Sequence, residues 1–89
     1  MTDWYNFPED LNRAPSTEGV YLLGDTLQNV VYVGRADDLR ERLSQHPDPN
    51  NSCLQRKAIK YFAFEETSNS EEREQELIDK YDPECNRTQ

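Results

Sequence analysis

The sequence predicts a small α+β domain: a three-stranded sheet, antiparallel or mixed, flanked by helices in the order β-β-α-(α)-β-α. Three observations carry this. Residues 19–23 and 30–34 are apolar runs, the second rich in β-branched side chains, and a short polar stretch separates them, as in an antiparallel hairpin. Leu39 and Leu43, four apart behind Asp38, give one turn-spaced apolar stripe on a helix. Residues 58–64 are apolar at nearly every position, as in a strand covered on both faces. With 89 residues, 34% of them hydrophobic, the chain makes one domain and one modest core, near the lower limit for folding without staples.

Taken in order, residues 1–17 hold Pro8, Pro15, Trp4, Tyr5 and Phe7, and read as an irregular lead-in whose aromatics pack on the core. The hairpin turn opens at Gly24-Asp25 and closes at Gln28-Asn29. Asp38, with Glu41 three residues later, resembles a capping box with Asp in place of Ser. Pro47 forces that helix to stop near His46. Residues 47–52 form a loop, a short helix covers 53–57, and the third strand covers 58–64. Residues 67–70 (Thr-Ser-Asn-Ser) cap a last helix over 71–81, with Leu77, Ile78 and Tyr81 facing inward and Pro83 following its stop.

The formal net charge of -8 would repel a phosphate backbone unless it is segregated. It is: residues 1–34 hold five acids and one base, residues 35–60 six bases and four acids, and residues 61–84 nine acids and two bases. The six bases (Arg35, Arg40, Arg42, Arg56, Lys57 and Lys60) predict a positive face on an acidic body. Seven Arg against three Lys, among so many acids, hints at a high-salt host. Cys53 and Cys85 are too few for a metal cage and lack Cys-x-x-Cys spacing, so they are expected as reduced packing residues. No apolar run reaches the ~18 residues of a membrane span, and the N-terminus has no signal-peptide design. The expectation is therefore a cytoplasmic protein.

Two strand tyrosines, Tyr21 and Tyr32, stand beside a helix bearing Arg42 and His46. Phenols can accept or donate protons, and a guanidinium forks onto phosphate oxygens. Each residue also has a plainer reading: tyrosines as core aromatics, Arg42 as an ion-paired surface residue, His46 as a helix-end cap. Glu74, three and four residues before Leu77 and Ile78, points toward the buried side of the last helix. An inward carboxylate there needs a partner. That partner is either a salt bridge to Arg42 or Lys60, or a hard divalent cation held with waters and a phosphate.

Together these residues resemble the GIY-YIG nuclease superfamily. The name-giving motifs are Gly19-Val20-Tyr21 and Tyr32-Val33-Gly34; the family arginine falls at Arg42 and a His or Tyr one turn later at His46. Glu74-Gln75-Glu76-Leu77-Ile78, Pro83 and Asn86 match the family's glutamate, proline and asparagine spacing. The segment from Tyr32 to Leu43 looks like the N-terminal nuclease module of the bacterial excision-repair incision enzyme, and the resemblance covers residues 19–86 of this single domain. It implies a DNA endonuclease of DNA-repair type that uses one Mg²⁺ or Mn²⁺ on Glu74. Arg42 would stabilise the transition state, and Tyr21 is favoured as base with its pKa depressed or relieved by a relay. Tyr32 would orient water or phosphate, with the two tyrosine roles exchangeable, and Asn86 would fix the site from the tail. Arg35 stands where the repair enzymes often have Lys; it keeps the charge but is a poor proton shuttle. Arg35, Arg40, Arg56, Lys57 and Lys60 would contact DNA. The acidic body leaves no DNA-recognition appendage, so a structure-specific enzyme recruited by a partner protein is expected. The alternative is a catalytically silent binding or regulatory module on the same fold.

Overall fold

A computed structural model describes residues 1–87. Its elements are β1 (Tyr5–Asn6), β2 (Gly19–Gly24), β3 (Val30–Ala36), α1 (Leu39–Ser44), α2 (Ser52–Gln55), β4 (Tyr61–Glu66) and α3 (Ser70–Tyr81), with 3-10 turns at Leu11–Arg13 and Glu84–Asn86. The expected order holds, but the sheet has four antiparallel strands in the order β1-β4-β2-β3. The extra strand is two residues of the lead-in, Tyr5 and Asn6, paired with Phe62 and Tyr61. Two residues are too few to show a period, so nothing in the pattern marks them. The third apolar run is central, as expected, yet its ladder covers 61–66 rather than 58–64. Glu65 and Glu66 belong to the strand because Arg73 and the N-terminal ammonium neutralise Glu65 at 3.0 and 3.4 Å, while Glu66 accepts from the Thr17 hydroxyl at 2.7 Å.

Strand alternation sorts the core into two layers. On one face Tyr21, Leu23, Phe62 and Phe64 pack under Phe7, Leu39, Leu43 and Leu54 from the lead-in, α1 and α2. On the other face Val20, Leu22, Val33 and Ala63 pack under Leu77 of α3. The Asp38 carboxylate accepts from the Glu41 N–H at 3.0 Å, so the α1 cap forms as the sequence indicates. The α3 stripe is shorter than expected. Leu77 is buried and Ile78 half-buried, but Tyr81 is 39% exposed with the Lys80 ammonium over its ring. Past the left-handed Asp82 (φ 43°), Pro83 is fully buried.

The cysteine expectation is overturned. Cys53 on α2 and Cys85 in the C-terminal 3-10 turn form a disulfide, Cα to Cα 5.3 Å. A separation of 32 residues carries no motif; the pairing arises because the loop and β4 return the tail beside α2. Among the described residues no helix is long and apolar enough to cross a membrane.

Candidate active site

β3 is an edge strand, and the site is a cleft that wraps that edge. The cleft has a volume of about 550 Å³. Tyr32 comes from β3, Arg42 and Gln45 from α1 and its C-cap, Arg35 from the end of β3, and Glu74 from α3. Because neighbouring side chains alternate across a strand, Tyr32 lies on the α1 face, whereas Arg35 belongs to the α3 face. The edge strand thus separates a phenol and guanidinium wall from a carboxylate wall.

Tyr21 stands behind this cleft rather than in it. It is fully buried and pairs in register with Gly34, whose lack of a side chain leaves room for the phenol ring. Its Oη lies 2.6 Å from His46 Nε2. The three rings form a cluster, with centroids 6.2 Å apart for Tyr21 and Tyr32, 5.3 Å for Tyr21 and His46, and 5.7 Å for Tyr32 and His46. Burial pushes the Tyr21 phenol well above its ordinary range, reinforced by Tyr32, and Arg42 only partly offsets this. A depressed Tyr21 pKa, one of the two options expected, is therefore not what the fold provides. Burial, then the nearby Arg42 charge, lowers His46 from 6.5 to about 4 against the pull of Asp48. His46 is a neutral imidazole at neutral pH, able to accept the Tyr21 O–H through Nε2. Its Nδ1 is buried without a partner among the described residues.

Tyr32 is half-buried and lines the cleft, close to the Arg42 guanidinium. Its phenol is also raised by burial, with Arg42 pulling the other way. Burial opposes the charge on Arg42, but Tyr21, Tyr32 and Asp48 more than restore it. The guanidinium is held by Asp48 at 3.5 Å and donates to Gln45 Oε1 at 3.3 Å.

Of the two readings of Glu74, the salt bridge to Arg42 or Lys60 does not form; among the described residues Glu74 has no ion-pair partner. Burial raises its carboxyl above the ordinary range, Arg35 pulling it back and Glu71 pushing it up. Arg35 itself pairs with Glu71 at 3.3 Å. A partly desolvated, unpaired carboxylate facing an open cleft fits a divalent cation completed by waters and phosphate. No group of three or more His, Cys, Asp or Glu side chains that would make a full protein cage occurs among the described residues.

Asn86 sits outside the cleft and works through the strand. Its Oδ1 accepts from the Val33 N–H at 2.7 Å and its Nδ2 donates to the Val33 carbonyl at 2.8 Å. One side-chain amide thus takes the place of a strand partner on the outer edge, between Tyr32 and Gly34.

The predicted positive face is only partly assembled. Arg40 donates to the carbonyls of Ala14 and Asn12 and so anchors the lead-in. Lys57 is paired with Glu84, and Arg56 and Lys60 do not line the cleft. The lining holds Asp37, Asp38, Glu41 and Glu74 against Arg35 and Arg42, so acids outnumber bases at the site. Sequence reasoning missed Asp48, Gln45 and Glu71, which restrain the two arginines; nothing in their local pattern separates them from solvated polar residues.

Comparison with known proteins places the chain in a family and a fold. A family model described as the GIY-YIG catalytic domain matches residues 17–89. UvrABC system protein C of Finegoldia magna is 30% identical over 89 residues, covering 92% of this chain and 15% of that protein. The same-named protein of Yersinia pseudotuberculosis is 44% identical over 46 residues, covering 52% of this chain and 8% of that protein. The chain therefore spans a small part of the curated relatives it matches. Among solved structures, the GIY-YIG N-terminal endonuclease domain of UvrC from Thermotoga maritima, a point mutant bound to its catalytic divalent cation, superposes with TM-score 0.69 at 26% identity over 90% of this chain and 93% of that one. The magnesium-bound form of that domain gives TM-score 0.68 at 25% identity, over 91% and 100%. With motifs, fold and cleft in agreement, this chain belongs to the GIY-YIG catalytic domain family.

Proposed function

We propose that this chain is a metal-dependent endonuclease that hydrolyses DNA phosphodiester bonds. The observation that carries the reading is the convergence of Tyr32, Arg35, Arg42 and Glu74 on one cleft, with the Tyr21–His46 pair buried directly behind it.

The cleft face of Tyr32 makes it the phenol that meets the attacking water. It lines the cleft, whereas the Tyr21 hydroxyl is buried behind it and committed to His46. Of the two exchangeable tyrosine roles, the proton acceptor therefore falls to Tyr32. Tyr21 and neutral His46 support its ring from behind, and Arg42 lowers the cost of charge on its oxygen. As water adds to phosphorus, Arg42 gives its forked N–H groups to the phosphoryl oxygens, where an extra negative charge develops. Arg35 adds a second positive charge from the opposite wall once its exposed pairing with Glu71 yields; such pairs are worth ~0–1 kcal/mol. A divalent ion on Glu74, Mg²⁺ or Mn²⁺, would neutralise a non-bridging oxygen and the leaving oxygen. Asn86 keeps Tyr32 in place through Val33.

Delivery of DNA is assigned to a partner protein or to further sequence. Acids outnumber bases in the cleft, and Arg40, Arg56, Lys57 and Lys60 lie outside its lining, so the domain has little charge with which to gather a polyanion unaided. Selection of a DNA structure rather than a sequence is part of the same reading, since among the described residues the helices pack on the sheet and the site is a cleft at its edge. Nicking of supercoiled plasmid with Mg²⁺ or Mn²⁺ tests the activity. Glu74→Gln and Arg42→Ala should each lower the rate by about 10²–10³-fold, the range for removing one preorganised charge. Equal rates for all three proteins would reject the assignment.

A further inference from the structure

We propose that the Cys53–Cys85 disulfide is a redox modification site that positions Asn86, and through Asn86 the cleft strand β3. The two cysteines are the only ones in the chain, and both are used. Three links join α2 to the C-terminal 3-10 turn: the disulfide, a hydrogen bond from Asn51 Nδ2 to the Cys85 carbonyl at 3.3 Å, and the Lys57–Glu84 ion pair. The last two are partly or well exposed and weak. The disulfide is the covalent one, and it lies one residue before Asn86. Asn86 in turn supplies both hydrogen bonds to Val33, flanked by the cleft tyrosine Tyr32 and by Gly34, on which Tyr21 rests. A covalent link thus fixes the tail whose single side chain holds the centre of the edge strand.

The bond is open to chemistry. A second cleft of about 540 Å³, lined by Asn50, Asn51, Ser52, Cys53, Glu84, Cys85 and Arg87, opens onto it. Cys53 is half-buried and Cys85 buried, so an incoming thiolate meets the Cys53 sulfur first. A dithiol reductant attacks Cys53 Sγ and forms a mixed disulfide. The S–S bond breaks, and Cys85 leaves as a thiolate that takes a proton from solvent. The second thiol of the reductant then displaces Cys53, leaving two protein thiols and one oxidised reductant. Cys53 and Cys85 are positioning residues here; neither lines the cleft that holds Tyr32 and Glu74.

The experiment uses the full chain, air-oxidised or treated with dithiothreitol, and follows the Val33 amide by NMR hydrogen exchange, because that N–H donates to Asn86 Oδ1. Reduction should speed Val33 exchange by about tenfold or more, the loss of roughly one hydrogen bond's worth of protection, while amides of the central strands β2 and β4 keep their rates. Cys53→Ser/Cys85→Ser should match the reduced protein and ignore dithiothreitol. In Asn86→Ala the redox response of the strand should vanish, since the link that transmits it is gone. Plasmid nicking by the reduced protein should show a lower kcat at unchanged KM. Two titratable thiols after oxidation, an unchanged Val33 rate on reduction, or a redox response that survives Asn86→Ala would each overturn the proposal. The cleavage arm alone rests on the endonuclease reading. A redox-dependent Val33 rate without nicking in either state would reject that reading and leave the linkage standing.

Discussion

Gly34→Ala tests how tightly the site is built. No glycine in the chain has a positive φ, so this substitution asks nothing unusual of the backbone. It asks for space. A Cβ at position 34 would overlap the Tyr21 ring, with Cε1 2.8 Å away and Cζ and Oη closer still, where ordinary contacts begin at 3.4 Å. The atoms in the way belong to a fully buried ring that packs on Tyr32 and His46 and cannot swing aside. Relief requires a ring shift of about 1 Å, and overpacking of this kind costs ~1–3 kcal/mol. The shift also breaks the 2.6 Å bond to His46, which adds roughly 1 kcal/mol. A total near 3 kcal/mol lowers Tm by about 12–24 °C in a domain of this size. At Gly24 the nearest neighbour is the Trp4 ring at 3.0 Å, at the edge of the structure, so Gly24→Ala serves as a milder control. Thermal melts of the two variants decide the matter. A Gly34→Ala protein melting within about 2 °C of wild type would refute the claim that Tyr21 is locked against the strand.

Further outcomes follow from the same geometry. His46 titrates near 6.5 unfolded and about 4 folded, so between those values the unfolded chain binds a proton that the folded chain does not. Stability should therefore fall as pH drops from about 6.5 to 4, by roughly 3 kcal/mol, and His46→Phe should remove that component from Tm measured against pH. Glu74 has a raised carboxyl pKa in the fold, so its ionised form costs stability above that pKa and the cost disappears at lower pH. Glu74→Gln should accordingly leave Tm unchanged or slightly higher while abolishing Mn²⁺ binding in a calorimetric titration. Asn86→Asp should destabilise at least as much as Asn86→Ala, about 1–3 kcal/mol, because a carboxylate can still accept from the Val33 N–H but faces the Val33 carbonyl with no proton to give; denaturant unfolding of the two variants measures the order.

Much of this was legible before any coordinates, and the reasons are local. The β2–β3 hairpin, the α1 cap at Asp38 and the Leu39/Leu43 stripe depend on neighbours within about four residues, which is the range over which pattern speaks. The motif residues Tyr21, Tyr32, Arg35, Arg42, His46 and Glu74 were identifiable because their spacing matches a known family. What escaped depended on long-range closure. Tyr5 and Asn6 are a strand only because β4 offers an edge. Cys53 and Cys85 meet only because the tail returns to α2. The depth of Tyr21 relative to Tyr32 is set by which strand is central and which is an edge, and that order is a property of the whole sheet. The positive face is only partly assembled for a related reason: Arg40 and Lys57 are taken up by the lead-in and the tail, partners that charge counting along the chain does not see.

The amide of Asn86 also bears on how copies of this protein avoid one another. β3 is a seven-residue, largely apolar outer strand, the kind of edge that recruits a second chain by backbone pairing. Asn86 occupies both polar groups of its middle residue, so a foreign strand cannot run its ladder through Val33. Loosening the tail should therefore do more than disturb Tyr32. It should bare an apolar strand edge and increase self-association.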